Sequence, residues 1–422
     1  MNLCVSIFFA SCFVLVTTEY IPSTKGMQWL SITCDTDEKL SLVLEFQADR
    51  DFDFMTITRQ HVEVAITAGK IDEFKRLLEL HDIEYKVYIE DVQQLVKEER
   101  NIPRRRRRSP TNYKLPYSFD HFPRHYLINS YLHKISLKYP DATLLDIGTT
   151  FEDRKMYGVK ISNNDGNETK PAILIDAGIH AREWISITTA LFVIQQLLKD
   201  ENKHLYKNID WYIFPSMNPD GYEFSHSEYR LWRKTRSDNS LTTCKGVDGN
   251  RNYDYKWKEP TELYARISEN PCDNTYPGDE AFSEVETRNL RDFALSKNGT
   301  IKLFIDLHAT SQNNKHVVIP WSFTKEYHPD YSKMLNLADR VSSAIYSYNG
   351  SNYTVGTVNE IYYIAPGTSI DWFLATAKSS FSYCIELPSL DFVISENKIE
   401  EIGSEIFEAM KVFGKHIEDN FV

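Results

Sequence analysis

The stretch Pro171-Ala-Ile-Leu-Ile-Asp-Ala-Gly-Ile-His-Ala-Arg-Glu-Trp184 joins an apolar run to two potential metal ligands. The apolar residues 172–175 predict a buried β-strand, and Gly178 allows the backbone to turn after it. His180 and Glu183 then face one point, and an imidazole and a carboxylate are suitable zinc ligands. The stretch therefore indicates a buried sheet whose strand ends at a metal site.

The pattern His-x-x-Glu is weak evidence by itself. The chain has 12 histidines, so roughly one such match is expected by chance. A second match, His81-Asp-Ile-Glu84, lies in a charged segment without a preceding buried strand. We interpret this second pair as surface residues, so the metal site must be supported by other parts of the chain.

The length and composition of the chain limit its possible domain organisation, location and partners. At 422 residues the chain favours two domains, or one large domain with a small one. An apolar run near the amino terminus predicts a secretory signal peptide over residues 1–18, with a buried first helix as the alternative. No later run is long and apolar enough to cross a membrane, and the net charge of −12 argues against a nucleic-acid partner. We therefore predict a secreted protein with neither membrane nor nucleic acid as partner.

Sequons and cysteines agree with export. The glycosylation sequons begin at Asn167, Asn298, Asn349 and Asn352. Cys244 and Cys272 flank a loop-like stretch rich in Asp, Asn, Gly and Pro, so we predict a disulfide between them. Cys34 and Cys384 have no evident partner.

The segment at residues 19–108 has the pattern of a small α+β domain. Residues 71–80 space their apolar side chains as an amphipathic helix, and residues 83–89 alternate as a strand does. Asp91 is positioned to cap a last helix that ends near Arg100.

Five consecutive arginines, Arg104–Arg108, follow this segment. Like charges repel one another and stay solvated, so we expect an accessible site for an activating protease that cuts after basic residues. A polyanion-binding or nuclear-localisation patch is the alternative. Cleavage leaves residues 109–422 as the mature protein.

Residues 109–422 alternate predicted helices and strands, which favours an α/β fold with a largely parallel or mixed sheet. Helices are predicted at residues 122–137, 185–199, 283–296, 330–348 and 395–419. Strands are predicted at residues 156–161, 171–177, 209–214, 301–307 and 381–387. Ser283 and Glu286 have the spacing of a capping box at the start of the third of these helices.

Two of the predicted strands carry further chemical groups. His308 follows the strand at residues 301–307, and ligands in open α/β sheets lie at the carboxyl ends of strands. Glu386 lies inside an otherwise apolar strand, where an unpaired carboxylate is costly unless it has a partner or a task. A lone histidine such as His308 is also consistent with a structural role.

Several motifs occur together in a fixed order. They are His180-x-x-Glu183 with Arg182, Asn218-Pro-Asp-Gly-Tyr222, Arg230-Leu-Trp-Arg-Lys-Thr-Arg236, Gly246-Val-Asp-Gly-Asn-Arg-Asn252, His308 and Tyr363-x-Ala-x-Gly-x-Ser-x-Asp-Trp372. This set closely resembles the pancreatic A/B-type zinc metallocarboxypeptidases over nearly all of residues 109–422. The segment before the arginines resembles their inhibitory pro-segment. The resemblance implies a central mixed eight-stranded sheet flanked by helices and preceded by a small α+β pro-domain.

The resemblance also implies a metal site and a catalytic base. His180, Glu183 and His308 correspond to the ligands of one zinc ion per chain, and Asp248 to a carboxylate that orients a ligand histidine. Glu386 corresponds to the general base, which takes a proton from the attacking water and passes it to the leaving amine.

Further matched positions are implied to bind the substrate. Arg233 corresponds to the residue that stabilises the oxyanion of the tetrahedral intermediate. The group that holds the terminal carboxylate of the substrate comprises Asn250, Arg251 and Tyr363, and Arg182 lines the cleft beside it. An arginine fork suits this task because it binds a carboxylate through two hydrogen bonds.

Ile370 corresponds to the residue that selects the C-terminal side chain. In this family an acidic residue there selects Lys or Arg, whereas an apolar one accepts aromatic or aliphatic residues, so Ile370 predicts an A-like preference. Three positions depart from the family pattern. Thr368 replaces a smaller residue, Cys384 a small hydroxyl residue, and Ala309-Thr310 a Ser-Tyr pair.

Together these features predict a secreted zymogen of a zinc carboxypeptidase. Its expected substrates are peptides or proteins with a free C-terminus, from which it releases aromatic or aliphatic residues. Two alternatives remain: B-type release of C-terminal Lys or Arg, and a non-catalytic homologue that only binds peptides.

Overall fold

The computed structural model describes residues 19–58, 60–100, 117–240, 242–259, 267–309, 314–389 and 392–422. The predicted signal peptide at residues 1–18, the arginine run at residues 104–108 and Thr310 lie outside the described residues. The described chain forms two sheets, each with its own helices and apolar core.

The first sheet has four antiparallel strands in the order β2-β3-β1-β4. Its strands are β1 Gln28–Thr33, β2 Phe52–Ile57, β3 His61–Ile66 and β4 Glu84–Ile89, and its helices are α1 Asp37–Leu44, α2 Ile71–Leu80 and α3 Val92–Arg100. Helix α2 buries Ile71, Phe74 and Leu78 in the core of this unit, because these positions share one helical face. The small α+β arrangement and the helix over residues 71–80 are confirmed.

The second sheet has eight strands in the order β11-β10-β12-β9-β7-β8-β6-β5. They are β5 Ala142–Thr149, β6 Lys155–Ile161, β7 Ala172–Ala177, β8 Asp210–Phe214, β9 Ile301–Ala309, β10 His316–Ile319, β11 Thr354–Thr357 and β12 Phe381–Leu387. Strands β8, β7, β9 and β12 are parallel neighbours, whereas β5–β6, β6–β8 and β10–β12 are antiparallel. The predicted mixed eight-stranded sheet is confirmed.

Helices cover both faces of this sheet. They are α4 His125–Lys138, α5 Trp184–Leu197, α6 Pro219–Ser227, α7 Val285–Ser296, α8 Tyr331–Asn349, α9 Val358–Ile361, α10 Ser369–Ala375 and α11 Ile399–Phe421. Successive strand residues point to opposite faces, so β7 buries Ile173 and Ile175 with α5 and α11, and Leu174 with α7 and α10. The sheet is therefore the middle layer of three.

The structure differs from the sequence predictions at several elements. Strands β5, β10 and β11 were not predicted, because β10 and β11 have only four residues each and β5 is a half-buried edge strand. The prediction of a capping box at Ser283 and Glu286 is wrong. Helix α7 begins at Val285, and the Ser283 hydroxyl bonds to Glu284 instead of the helix backbone. Glu286 is fully buried, and its carboxylate accepts a hydrogen bond from the Phe151 amide because it points into the protein.

Among the helices in the described ranges, none is both long and apolar enough to cross a membrane.

Candidate active site

Strand β7 and the turn after it bring the first two candidate ligands together. Gly178 follows β7 with φ +71°, a conformation that favours glycine, and a Cβ there would lie 2.7 Å from the Ile187 side chain. The tight turn leads to His180, and Glu183 precedes the first turn of α5. The predicted strand-to-turn arrangement therefore positions both side chains at the carboxyl end of β7.

His180, Glu183 and His308 converge as buried side chains. The Nδ1 atom of His180 lies 2.8 Å from Oε1 of Glu183 and 3.0 Å from Nδ1 of His308, and the latter lies 3.1 Å from Oε2 of Glu183. Ligands about 2.0–2.1 Å from a tetrahedral zinc ion are separated by about 3.3 Å. The three side chains therefore fit a zinc ion with three protein ligands and an open position for water or substrate.

Carboxylates hold the outer nitrogens of both histidines. Asp248 Oδ1 lies 3.0 Å from Nε2 of His180, and Asp306 Oδ2 lies 2.9 Å from Nε2 of His308. Each contact leaves Nδ1 directed toward the metal position, which is the usual arrangement behind zinc-binding histidines. Asn250 Nδ2 is also 3.0 Å from Nε2 of His308.

Both oxygens of Asp248 have hydrogen-bond partners. Oδ2 accepts hydrogen bonds from Nε and Nη2 of Arg233, at 3.2 and 2.8 Å. Burial acts to raise the pKa of Asp248, but Arg233 and His180 outweigh it and hold the pKa well below its usual value. Asp248 is therefore a fixed negative charge behind the metal site.

Glu386 comes from the neighbouring strand β12, where it pairs in register with His308 of β9. It is half-buried at the cleft beside the metal ligands. Its enclosure there, reinforced by the negative charge of Glu183, raises the pKa of Glu386 to about 7. A carboxylate with this pKa is well matched to proton transfer near neutral pH.

Arg233 and the segment around Asn250 supply groups that suit a negatively charged ligand. Arg233 Nη1 lies 3.1 Å from Nδ1 of His180, at the edge of the metal site. Asn250, Arg251 and Tyr363 line the same cavity, and Arg251 Nη2 lies 3.4 Å from the Tyr363 hydroxyl. All residues that the sequence predicted for catalysis and carboxylate binding, except Arg182, are therefore brought together around one cavity.

An apolar pocket lies beside these groups. It contains the predicted specificity residue Ile370 and the two described departures, Thr368 and Cys384, and all three are buried. Val318 of β10 forms another side of the same pocket. No acidic residue stands at the Ile370 position.

Arg182 has a different environment from the other predicted substrate-binding residues. It is buried beneath the first domain, where Nη1 lies 3.4 Å from Asp53 and 3.2 Å from the Met55 sulfur. Its guanidinium group also packs 4.3 Å from the centre of the Phe392 ring. Met55 and Thr56 line the cavity itself, so the first domain covers the site in the full-length chain.

Asp306 and Tyr362 are site residues that sequence reasoning missed. Asp306 lies two residues before His308 on β9, and this spacing places both on one face of the strand. That spacing was an available signal. Tyr362 precedes the predicted Tyr363 and lines the cavity, and no feature of its local sequence distinguishes it.

The cysteines and the surface residues follow the sequence predictions. Cys244 and Cys272 form a disulfide, and Cys34 and Cys384 are free and buried. The second His-x-x-Glu pair, His81 and Glu84, is exposed. The sequon residues Asn167, Asn298, Asn349 and Asn352 are all exposed.

Comparisons with known proteins agree with this geometry. A family described as zinc carboxypeptidase matches residues 128–409, and one described as carboxypeptidase activation peptide matches residues 30–99. The chain is 35% identical to a carboxypeptidase B of Astacus astacus over 301 residues, which is 70% of this chain and 96% of the relative. It is 32% identical to carboxypeptidase A2 of Mus musculus over 94% of each chain. The crystal structure of carboxypeptidase A from Helicoverpa armigera has a similar fold, with a TM-score of 0.86, 24% identity, and coverage of 95% of this chain and 100% of that one.

Proposed function

Because the chain belongs to the zinc carboxypeptidase family and carries a carboxypeptidase activation peptide, we propose that it is a secreted zymogen whose mature form removes the C-terminal residue of peptides. The observation that carries this proposal is the convergence of His180, Glu183 and His308 beside Glu386. One site thus combines a zinc-binding triad with a carboxylate placed to act as a base.

The proposed reaction is hydrolysis of the last peptide bond. A bound zinc ion supplies Lewis-acid activation of water and of the scissile carbonyl. Glu386 takes a proton from the attacking water and delivers it to the leaving amine, so no covalent intermediate with the protein is needed. Arg233 carries a fixed positive charge next to the metal site, where it stabilises the negative charge that develops on the carbonyl oxygen.

We assign recognition of the substrate's free carboxylate to Asn250, Arg251 and Tyr363. Their position in one cavity with the metal ligands supports this assignment. Holding the terminal carboxylate aligns the last peptide bond with Glu386 and restricts cleavage to the C-terminus. Arg182 would join the substrate side of the cleft only after the first domain leaves, since Asp53 and Met55 now contact it.

Ile370 supports an A-like preference for apolar C-terminal residues. It is buried in the pocket, where a charged Lys or Arg side chain would lose its hydration and would meet an apolar side chain instead of a carboxylate at position 370. B-type release of Lys or Arg is the alternative, because relatives of this chain include proteins named carboxypeptidase A and B. Faster release of Lys than of Leu from matched peptides would contradict the A-like assignment.

Secretion and activation complete the proposal. The exposed sequons and the disulfide support an oxidising, extracellular location. The first domain, whose Met55 and Thr56 line the cavity, would limit access until a protease that cuts after basic residues cleaves at Arg104–Arg108.

The variant Glu386→Gln tests the catalytic proposal directly. It keeps the size of the side chain but removes the base, so we expect kcat to fall about 10²–10⁴-fold. The zinc content of the purified protein should stay at one ion per chain, because Glu386 is not one of the three converging ligands. The exposed Glu400→Gln in the second domain provides a matched control that should leave kcat unchanged.

The same experiment separates the enzyme from a non-catalytic homologue. If the protein only binds peptides, wild type and Glu386→Gln should both show negligible turnover. Equal turnover of the two proteins would therefore contradict the proposal.

A further inference from the structure

We propose that Thr368 and Tyr362 narrow the pocket for the C-terminal side chain, so that the mature enzyme releases branched aliphatic residues (Val, Leu and Ile) in preference to aromatic ones. This inference rests on the proposed carboxypeptidase function and makes its apolar substrate class more specific.

Thr368 forms a rigid part of the pocket. It is 3% exposed and immediately precedes α10, two residues before Ile370. Its hydroxyl donates to Oγ of Ser322 at 3.1 Å, and the Ser322 amide donates to both oxygens of the buried Asp371. The hydrogen bond to Ser322 and the stiff χ1 of a β-branched side chain together restrict the rotamer of Thr368 where it lines the pocket.

Tyr362 forms a second fixed wall. Its hydroxyl lies 2.6 Å from Nδ1 of His316, and the two rings meet edge to face with their centres 5.2 Å apart. His316 is held in β10 directly opposite Glu386 of β12, and Val318 pairs with Cys384 in the same way. The sheet therefore fixes the position of His316, and the hydrogen bond to His316 restricts the rotation of the Tyr362 side chain.

The remaining space is small. With Met55 and Thr56 of the first domain in place, the whole cavity, including the part that faces the metal ligands, has a volume of about 100 Å³. An apolar protein cavity that accepts a benzene ring measures about 150 Å³. Departure of the first domain opens the side of the cavity that Met55 and Thr56 line but leaves Thr368 and Tyr362 in place. These two side chains would have to be displaced to admit a benzyl group, and protein interiors resist such displacement because they are packed as densely as organic crystals. Side chains of three or four carbons need less room.

The chemistry of the pocket also favours aliphatic groups. Ile370, Val318, Val358 and Ala365 supply apolar surface. The Thr368 hydroxyl is already bonded to Ser322, so it does not offer its hydrogen to a polar or charged ligand. Shape rather than hydrogen bonding is thus the expected basis of selection.

The test uses the full-length chain after proteolytic activation, with peptides that differ only in their last residue: Val, Leu, Phe, Trp or Lys. One methylene in an apolar pocket changes kcat/KM by about 10–200-fold. We therefore expect kcat/KM for Leu to exceed that for Phe by about tenfold or more. Thr368→Gly should raise the ratio of Phe to Leu by about tenfold, because it removes the methyl and hydroxyl groups from the pocket.

Two further variants separate shape from hydrogen bonding. Thr368→Val keeps the shape and removes the hydroxyl, so its ratio of Phe to Leu should stay near that of wild type. His316→Leu removes the partner of the Tyr362 hydroxyl, so the ratio should rise toward that of Thr368→Gly. An unchanged ratio in both Thr368→Gly and His316→Leu would overturn the inference.

The wild-type rates distinguish failure of the inference from failure of the proposed function. Cleavage of the peptides with Phe equal to or better than Leu would overturn the aliphatic preference and leave the carboxypeptidase activity standing. A preference for Lys would overturn the apolar pocket together with the A-like assignment. Absence of cleavage for all five peptides would overturn the proposed function itself.

Discussion

Two buried carboxylates stand behind the candidate metal ligands. Asp248 contacts Nε2 of His180, and Asp306 contacts Nε2 of His308, so each histidine is held from its far side. Asp306 has its own support, because the Ser369 hydroxyl donates to it at 2.6 Å. Burial and the adjacent Asp306 carboxylate raise the pKa of Asp176 on the neighbouring strand well above its usual value.

At the residue scale, Asp248→Asn should weaken zinc binding about 10–100-fold, the usual effect of removing such an outer partner. The amide can still accept a hydrogen bond from His180, but it loses the negative charge that pairs with Arg233. The zinc dissociation constant, measured by competition with a coloured chelator, is the readout. The exposed neighbour Asp254→Asn is the control, and equal zinc affinity in the two variants would show that Asp248 does not position the ligand.

Individual residues differed in how well the sequence predicted them. His180, Glu183, His308 and Glu386 each follow or lie within an apolar run that predicts a strand, so their convergence could be inferred from the chain. The spacing of Asp306 and His308 predicts that they share a strand face, but the contact of Asp306 with Nε2 also depends on the orientation of the His308 ring. That orientation is decided by contacts between strands and not by local sequence.

At the scale of single elements, the start of α7 departs most from its sequence pattern. Glu286 is fully buried and does not lie on the exposed surface of the helix. Its Oε2 atom has no hydrogen-bond partner among the described residues. Burial, followed by the nearby charge of Glu284, raises the pKa of Glu286 to about 8. The folded protein therefore holds a proton at Glu286 that the unfolded chain releases near pH 4–5.

This buried proton predicts a pH-dependent stability. Between about pH 5 and pH 8 the folded state binds one more proton than the unfolded chain, so the contribution of Glu286 to stability declines as the pH rises through this window. Glu286→Gln should remove that decline. The free energy of unfolding of the variant minus that of wild type should therefore be about 3–4 kcal/mol greater at pH 8 than at pH 5, since one pKa unit corresponds to about 1.4 kcal/mol.

Denaturant unfolding of wild type and variant at pH 5 and pH 8 measures this effect. Asp292→Asn, an exposed change on the same helix, should alter stability equally at both pH values. A difference between wild type and Glu286→Gln that is the same at pH 5 and pH 8 would contradict a buried, protonated Glu286.

Elements with a long apolar pattern were predictable, and short ones were not. Strand β7 and helix α2 matched their predicted bounds to within one residue, because their side chains alone decide which face is buried. Strands β10 and β11 have four residues each, and they form only because β12 supplies a neighbouring edge. Such strands are determined by tertiary pairing, which a local window of sequence does not contain.

At the scale of the whole molecule, three ion pairs between described residues join the first domain to the second. Asp53 faces Arg182, Glu99 faces Arg230, and Glu19 faces Arg236. These arginines also lie against aromatic rings, as in the 3.7 Å contact of Arg230 with the Trp184 ring. Arg230 and Arg236 are both buried in the full-length chain.

The ion pair between Glu99 and Arg230 is expected to help hold the first domain over the active site. Glu99→Gln leaves a buried arginine without its carboxylate partner, a change that costs about 3–5 kcal/mol in other buried pairs. We therefore expect the uncleaved chain to gain at least tenfold in basal activity, measured as a fraction of its activity after complete cleavage. The adjacent, exposed Glu98→Gln is the control and should leave this fraction unchanged.

If the uncleaved Glu99→Gln chain had the same activity as the uncleaved wild type, the prediction would be contradicted, and the remaining contacts would be sufficient to cover the site.

The division of the chain into two units was predictable, because the arginine run interrupts the patterned segments. The docking of one unit on the other was not, since its charged pairs join residues 129 or more positions apart.

The Cys244–Cys272 disulfide links residues 28 positions apart, and Asp248, Asn250 and Arg251 all lie inside the loop that it closes. A link of this length restricts the unfolded chain by about 3–4 kcal/mol. The same covalent bond thus tethers Asp248, which contacts a candidate metal ligand, and two residues that line the cavity, Asn250 and Arg251. In the proposed secreted zymogen, oxidation of this cysteine pair would complete the geometry of the site, and proteolysis would uncover the site in a later step.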